Sequence, residues 1–292
     1  MAKIISTITS GLGNQLFQYA IARQLSIINN AALYLDLRFY QSAYSRETNR
    51  SFKLDKFKIP FRRIDKRHEY VLKTAKLFPR QSLYPFINTL KEDSYHFNPE
   101  VIQTYPHHLL SVKGYWHSEK YFKDAATVIR QELALNHEAG PAFETYHRQI
   151  KGEVNPVSVH IRRGDYVSHP EFSKTFGFIG LEYYIKAISL MKEKYPDAVF
   201  YIFTDDQKWV RENFPTAAHF IFVSNIGVDA DLDDLHLMKT CKHHIIANSS
   251  FSWWGAWLNA HPDKVVIAPQ HWFKHQPDWD TKDLLPEAWI KI

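Results

Sequence analysis

Short β-rich runs alternate with stretches of helical periodicity twice along these 292 residues, and this alternation limits the fold more than any other feature. Strand, helix, strand closes as a parallel pair with its crossover packed on one face, so the pattern predicts α/β architecture. At the N-terminus KIISTIT reads as a strand and GLGN as a turn. Phe17, Ile21, Leu25 and Ile28 then recur at helical spacing before ALYLDL supplies the next strand. Residues 40–110 are polar and mixed, punctuated by Pro60, Pro79, Pro85, Pro99 and Pro106, and their elements cannot be ordered from pattern alone. SVKGYWHSEKYF follows as strand and turn, with Ser118 placed to cap a helix carrying Phe122, Ala126, Ile129 and Leu133. The second stretch is more regular. VSVHI, AVFYIFT, HFIFVS, HHIIAN and KVVIA are strands. Helices are expected around Leu181–Met191, ending before Pro196, and around Leu232–Cys241 and SFSWWGAWLNA. The breaks NHEAG, Pro141 and KGEVNP predict two domains, 1–152 and 153–292, the last residues crossing back to the first.

Charge and cysteine usage bound the function classes. Residues 61–80 hold seven Lys or Arg against two acids, a local +5 that equals the net charge of the whole chain. Ile64, Val71, Ala75 and Phe78 fall close to one helical face there, which suits a basic amphipathic helix on an anionic membrane or glycan, or an ordinary solvated helix. So local a cluster, with no binding signature beside it, argues against nucleic acid. No run approaches the roughly 18 apolar residues of a membrane span, and no secretory leader pattern opens the sequence. With one cysteine, Cys241, there is no disulfide framework and no thiolate metal site, and a cytoplasmic protein is expected.

Ligands of open parallel sheets bind beyond the carboxyl ends of the strands. Four segments qualify: Gly11-Leu12-Gly13-Asn14-Gln15, Arg162-Arg163-Gly164-Asp165, Thr204-Asp205-Asp206 and Asn248-Ser249-Ser250. GLGNQL followed by Asp36 suggests a nicotinamide oxidoreductase, but Leu16 replaces the third glycine and two amides stand where the pyrophosphate would lie. Two guanidiniums leaving a buried strand need anions, and the arginine fork suits phosphate oxygens. Arg162 is expected to face a ligand, whereas Arg163, sent to the opposite face by strand alternation, suits a scaffold pair with Asp165 or Asp205. Asn248 to Phe251 join a strand to a helix, either as an anion site or as a plain cap. Phe251, Trp254 and Leu258 are expected to pack on the sheet. The D-x-D patterns in Asp229–Asp234 are the kind that hold a divalent cation on a diphosphate, yet acids also suit a helix N-terminus. A carboxylate there can instead accept the N1 and N2 protons of guanine. Neither these acids nor the adjacent His107-His108 and His243-His244 pairs predict a bound metal.

GLGNQLFQYA, GYWHSEKYF, HIRRGDYV, TDD and NSSFSWWGAWL occur in an order and spread that resemble the bacterial α-1,2-fucosyltransferases of glycosyltransferase family 11. The H-x-R-R-x-D segment also looks like that of α-1,6- and protein O-fucosyltransferases. The resemblance implies a GT-B fold, two Rossmann-like domains facing a cleft, with GDP-fucose held mainly by the second. It implies inverting transfer of L-fucose to the 2-hydroxyl of a galactoside in a surface glycan such as O-antigen, with no metal or other cofactor. By position, Arg162 would hold the β-phosphate, His160 the nucleoside and Asp234 the guanine. Ser249, Ser250 and the backbone around Phe251 would add phosphate donors, and Gly13 and Asn14 would approach the fucose. A general base is needed as well. Asp165 is the first candidate, with an orienting role as its alternative, and Glu171 and Asp36 follow.

Overall fold

The computed structural model describes residues 2–42, 50–75, 86–136, 138–273 and 279–292. The chain clusters into two units, Met1–His137 with Lys282–Leu284, and Glu138–Thr281 with Leu285–Ile292. The division thus falls before 152, because the helix Phe143–Gly152 packs its Phe143 and Ile150 into the second unit.

In the first unit β1 (Lys3–Thr7), α1 (Leu12–Ile28) and β2 (Ala32–Asp36) form the expected βαβ unit, with β1 and β2 parallel. The mixed region contributes strands that pattern reading left unordered: β3 (Arg62–Arg63) and β4 (Ile87–Lys91), the latter beside β5 (Leu109–Lys113). The sheet is wholly parallel in the order β3-β2-β1-β5-β4. Winding therefore runs outward from β1 through β2 to β3, while β5 lies on β1's other side. Helix α2 (Lys66–Thr74) exposes Lys66, Arg67, Tyr70 and Lys73. Its Leu72 and Val71, with Ile64, pack against Ile5, Tyr34 and Leu109. Of the two readings offered for this segment, the apolar positions fit the ordinary solvated helix, since they cover the unit's own sheet; Phe78 lies outside the described residues. Ser118 caps only a 3-10 turn, Glu119–Tyr121, and the helix that follows, α3, begins at Ala126 and runs to Glu132.

The second unit holds α4 (Phe143–Gly152), β6 (Pro156–Ile161), the short α5 (Gly164–Ser168) and α6 (Pro170–Thr175), and α7 (Leu181–Lys194). Then come β7 (Val199–Thr204), α8 (Gln207–Asn213), β8 (Phe220–Phe222), α9 (Ala230–Thr240), β9 (His243–Ile245), α10 (Ser250–Leu258), β10 (Val266–Ala268) and β11 (Ile290–Lys291). Its parallel sheet runs β11-β10-β9-β6-β7-β8. Counted within the unit, that is the strand order of a doubly wound dinucleotide-type domain, and winding reverses between β6 and β9. β6 is buried at every position. Val157, Val159 and Ile161 pack with Phe200, Ile202, Ile245 and the α7 residues Tyr184, Ile188 and Met191, each such burial stabilising by roughly 1.5–3 kcal/mol. The paired histidines serve this sheet. His243 Nδ1 accepts the Val265 N–H at 3.0 Å, and His244 Nδ1 lies 2.8 Å from Ser158 Oγ. Cys241 is fully buried, a small core residue whose thiol pKa burial pushes up.

Candidate functional site

The switch point of the second sheet gathers the arginine pair and the Asn-Ser-Ser segment, because these follow β6 and β9, the two strands between which winding reverses. β6 and β7 are in register Ile161↔Thr204, and the residues just beyond continue that register as charge pairs. Arg162 meets Asp205 (Nη1 to Oδ2, 3.1 Å) and Asp165 (Nη2 to Oδ1, 2.8 Å). Arg163 pairs with Asp206 and lies 4.2 Å from the centroid of the Trp209 ring. Burial acts against the Arg162 charge, but Asp205 and Asp165 outweigh it and raise its pKa further. Asp205 also accepts the Arg163 backbone N–H at 2.9 Å. Burial pushes the Asp205 pKa up, while Arg162 and the backbone N–H groups of Arg163 and Gly164 hold it below the usual carboxylate range. A Cβ on Gly164 would stand 2.7 Å from Asp205 Oδ2, which is why the motif needs glycine here.

These contacts revise two expectations. Arg163 is scaffold, as alternation suggested, but its partner is Asp206; Asp165 and Asp205 are the partners of Arg162. Asp165, the first base candidate, is thereby an immediate counter-charge of the arginine. Asp36 is similarly taken up: it is buried, and Arg38 grips both its oxygens at 2.8 and 2.6 Å. Glu171 is exposed at the start of α6.

Tyr166 ties the two halves of the switch point together. Its hydroxyl donates to the Asn248 carbonyl at 3.0 Å, and the Arg162 guanidinium carbon lies 5.5 Å from its ring centroid. Asn248 is fully buried and donates its amide to the carbonyls of Phe176, Gly177 and Trp272, so it shapes the loop. Ser249 is the N-cap of α10, its Oγ accepting the Phe251 N–H at 3.3 Å. Ser250 and Phe251 are half-buried, whereas Trp254 and Leu258 are in the core as expected. Phe251 turns instead toward His160, with ring centroids 5.4 Å apart at 55°. Burial drives the His160 pKa down to about 4, so its imidazole is neutral. Its Nδ1 has no hydrogen-bond partner among the described residues.

Asp234 lies inside α9, whose N-cap is Asp229 and whose first turn carries Asp231 and Asp233, so most acids of this run do sit at the helix start. Asp233 is buried and accepts the Gly140 N–H at 2.8 Å. Asp234 accepts from Asn225 Nδ2 at 2.7 Å. Burial raises its pKa to about 7; Asn225 opposes the shift, and Asp231 and Asp233 add to it. Asn225, which no motif pointed to, is the residue that aims this carboxylate.

In the first unit the GLGN segment differs from a dinucleotide loop. Gly11 is the N-cap of α1 with ordinary φ, and Gly13 is a buried helical residue; the left-handed residue is Ser10, at φ 65°. Gln15 donates to the carbonyls of Ser10 and Ser51 and accepts the Lys53 N–H, while Gln18 brackets Thr9 and Gly114. The Gln15 and Gln18 amides are internal fasteners of the loops, and with Asp36 gripped by Arg38 the oxidoreductase reading loses its residues. Asn14 Oδ1 lies 2.9 Å from His117 Nε2.

Residues 3–292 match the model of the family described as Glycosyl transferase family 11. The chain belongs to this family. It is a glycosyltransferase. Two Escherichia coli members cover essentially its full length. An α-1,2-colitosyltransferase is 32% identical, over 100% of this chain and 99% of its own. The O-antigen biosynthesis glycosyltransferase WbnK is 30% identical, over 98% and 99%. Among solved structures, fucosyltransferase NodZ from Bradyrhizobium superposes with a TM-score of 0.53 at 16% identity, covering 87% of this chain and 91% of NodZ. The fold of this family 11 chain is accordingly α/β and GT-B-like, in agreement with the two parallel sheets. Among the described residues of this family 11 chain, no helix is long and apolar enough to cross a membrane.

Proposed function

We propose that the chain transfers L-fucose from GDP-β-L-fucose to the 2-hydroxyl of a galactoside, with inversion and without a metal ion. The observation that carries this reading is the placement of Arg162 and the α10 N-terminus just past the two strands that flank the switch point, an arrangement of fixed donors suited to a diphosphate. Asp234, aimed by Asn225, accepts the guanine N1 and N2 protons, and neutral His160 with Phe251 packs against the nucleoside. Asn14 contacts the sugar. The acceptor hydroxyl attacks the anomeric carbon as the bond to the β-phosphate oxygen breaks; the electron pair leaves with GDP, and the hydroxyl proton passes to solvent as the glycosidic bond forms. Arg162 and the α10 N–H groups stabilise that charge, an effect often worth about 3 kcal/mol per donor. Asp165 orients Arg162. Within 61–75 Arg62, Arg63, Lys66, Arg67 and Lys73 form an exposed basic face, suited to anionic lipid or glycan at the inner membrane face.

A second donor is favoured by one observation, the 32%-identical colitosyltransferase. Colitose is fucose without its 3-hydroxyl, so the diphosphate and guanine contacts serve both. The deciding experiment incubates purified protein with GDP-fucose or GDP-colitose and a panel of galactosides, with and without EDTA, and determines the new linkage by NMR. An α-1,2-fucosyl product that survives EDTA, lost in Arg162→Ala, is expected. Transfer of colitose alone would replace the donor, a β-linked product would overturn inversion, and a strict need for Mn²⁺ would return the role of the charge stabiliser to a metal.

A further inference from the structure

The first sheet has a reversal of its own, between β1 and β5, and the residues just past those two strands meet there. Asn14 opens α1 after β1, and His117 follows β5, which runs beside β1 in the register Ile4↔Leu110. Two loops with unusual backbone bring the pair together. Ser10 and Trp116 both sit at left-handed φ, 65° and 61°, a conformation uncommon outside glycine that gathers at functional sites. Gly114, at φ 150°, lies where a Cβ would collide with the Cβ of Glu92. Glu92 in turn accepts the backbone N–H groups of Tyr115 at 2.6 Å and Trp116 at 2.8 Å, so a carboxylate on β5's neighbour holds this loop in shape.

The imidazole is fixed on both sides. Tyr115 stacks on it with centroids 5.2 Å apart at 16°, and Phe17 meets it edge-on at 4.9 Å and 64°. Burial lowers the His117 pKa to about 4, so the ring is neutral and carries one N–H. Nδ1 is buried without a hydrogen-bond partner among the described residues. A stranded buried N–H is rarer and costlier than a stranded lone pair. The proton therefore belongs on Nε2, donating to Asn14 Oδ1 at 2.9 Å. The opposite arrangement, with Asn14 Nδ2 donating to a bare Nε2, would leave Nδ1–H orphaned. With its oxygen engaged, Asn14 turns its amino group, two N–H donors, away from the ring.

We propose that His117 is a positioning residue that sets the flip of the Asn14 side-chain amide, so that Asn14 offers N–H donors rather than an acceptor to the hydroxyls of the transferred sugar. The inference rests on Asn14 as the sugar contact and names what orients it. The test compares kcat, donor KM, GDP affinity and melting temperature for Asn14→Ala, His117→Phe, His117→Gln and the double variant Asn14→Ala/His117→Phe. Asn14→Ala and His117→Phe should each lower kcat by about tenfold or more, as loss of a fixed donor does. GDP affinity should stay within twofold, since the nucleotide residues lie in the other unit. His117→Gln, which restores an N–H near the Nε2 position, should recover most of the rate, and the double variant should be no slower than Asn14→Ala. Multiplying losses in the double variant, or a His117→Gln enzyme as slow as His117→Phe, would overturn the proposal. A wild-type rate in Asn14→Ala would instead remove the sugar contact on which it rests.

Discussion

Asp234→Asn tests the nucleotide site through its pH dependence. The Asp234 carboxyl has its pKa raised to about 7, chiefly by burial. Accepting two guanine protons requires the ionised form. A group with that pKa is about nine-tenths ionised at pH 8 and about one-tenth at pH 6, so the affinity for GDP-fucose should weaken roughly tenfold between them. GDP-fucose is the right probe because its esterified diphosphate does not titrate in this window, and His160, at about 4, does not either. Asp234→Asn keeps the shape and should bind weakly with a flat profile from pH 6 to 8. Isothermal titration in buffers of different ionisation enthalpy should show nearly one proton released per GDP-fucose bound at pH 6. Stability supplies an independent readout. Because the folded pKa lies above the ordinary aspartate value of 3.8, the folded protein keeps a proton that the unfolded chain releases. That contribution is full below 3.8 and is lost as pH rises through 7. Asp234→Asn should therefore be the more stable protein at pH 8. A wild-type affinity that is flat from pH 6 to 8, or unchanged affinity in Asp234→Asn at pH 8, would refute the assignment of guanine to this carboxylate.

Two neighbouring substitutions separate scaffold from site. Arg163→Ala removes the Asp206 pair and the contact with Trp209, and should cost about 1–3 kcal/mol in denaturant unfolding while turnover per folded enzyme stays within a few fold. Asp165→Asn leaves Arg162 with Asp205, so kcat should drop less than tenfold; a fall of about 10²–10⁴ would mark Asp165 as the general base.

The sequence by itself determined the local elements and the places where chemistry could sit. Period-2 and helical spacing fixed βαβ units around β1 and throughout the second unit, and residues just past parallel strands stand at the edge of a sheet where ligands bind, although the strand order decides which of them can meet one. That Arg162 and Arg163 do different jobs was legible for the same reason, since alternation is a local property of the backbone, and their separate partners agree with it. Short edge strands were not: Arg62–Arg63 and Ile290–Lys291 have no apolar pattern, and they are strands only because a neighbour's free edge pairs with them. The identity of the partners that lie outside each motif was decided by tertiary structure. The β6–β7 register matched Arg162 with Asp205 and Arg163 with Asp206, although the run Thr204-Asp205-Asp206 was visible in the sequence. Asn225 beside Asp234, and His117 beside Asn14 across 103 positions of sequence, leave no local trace. A hydrogen bond or ion pair constrains two side chains at a distance of about 3 Å, and pattern within one segment carries no information about which distant segment will supply the other.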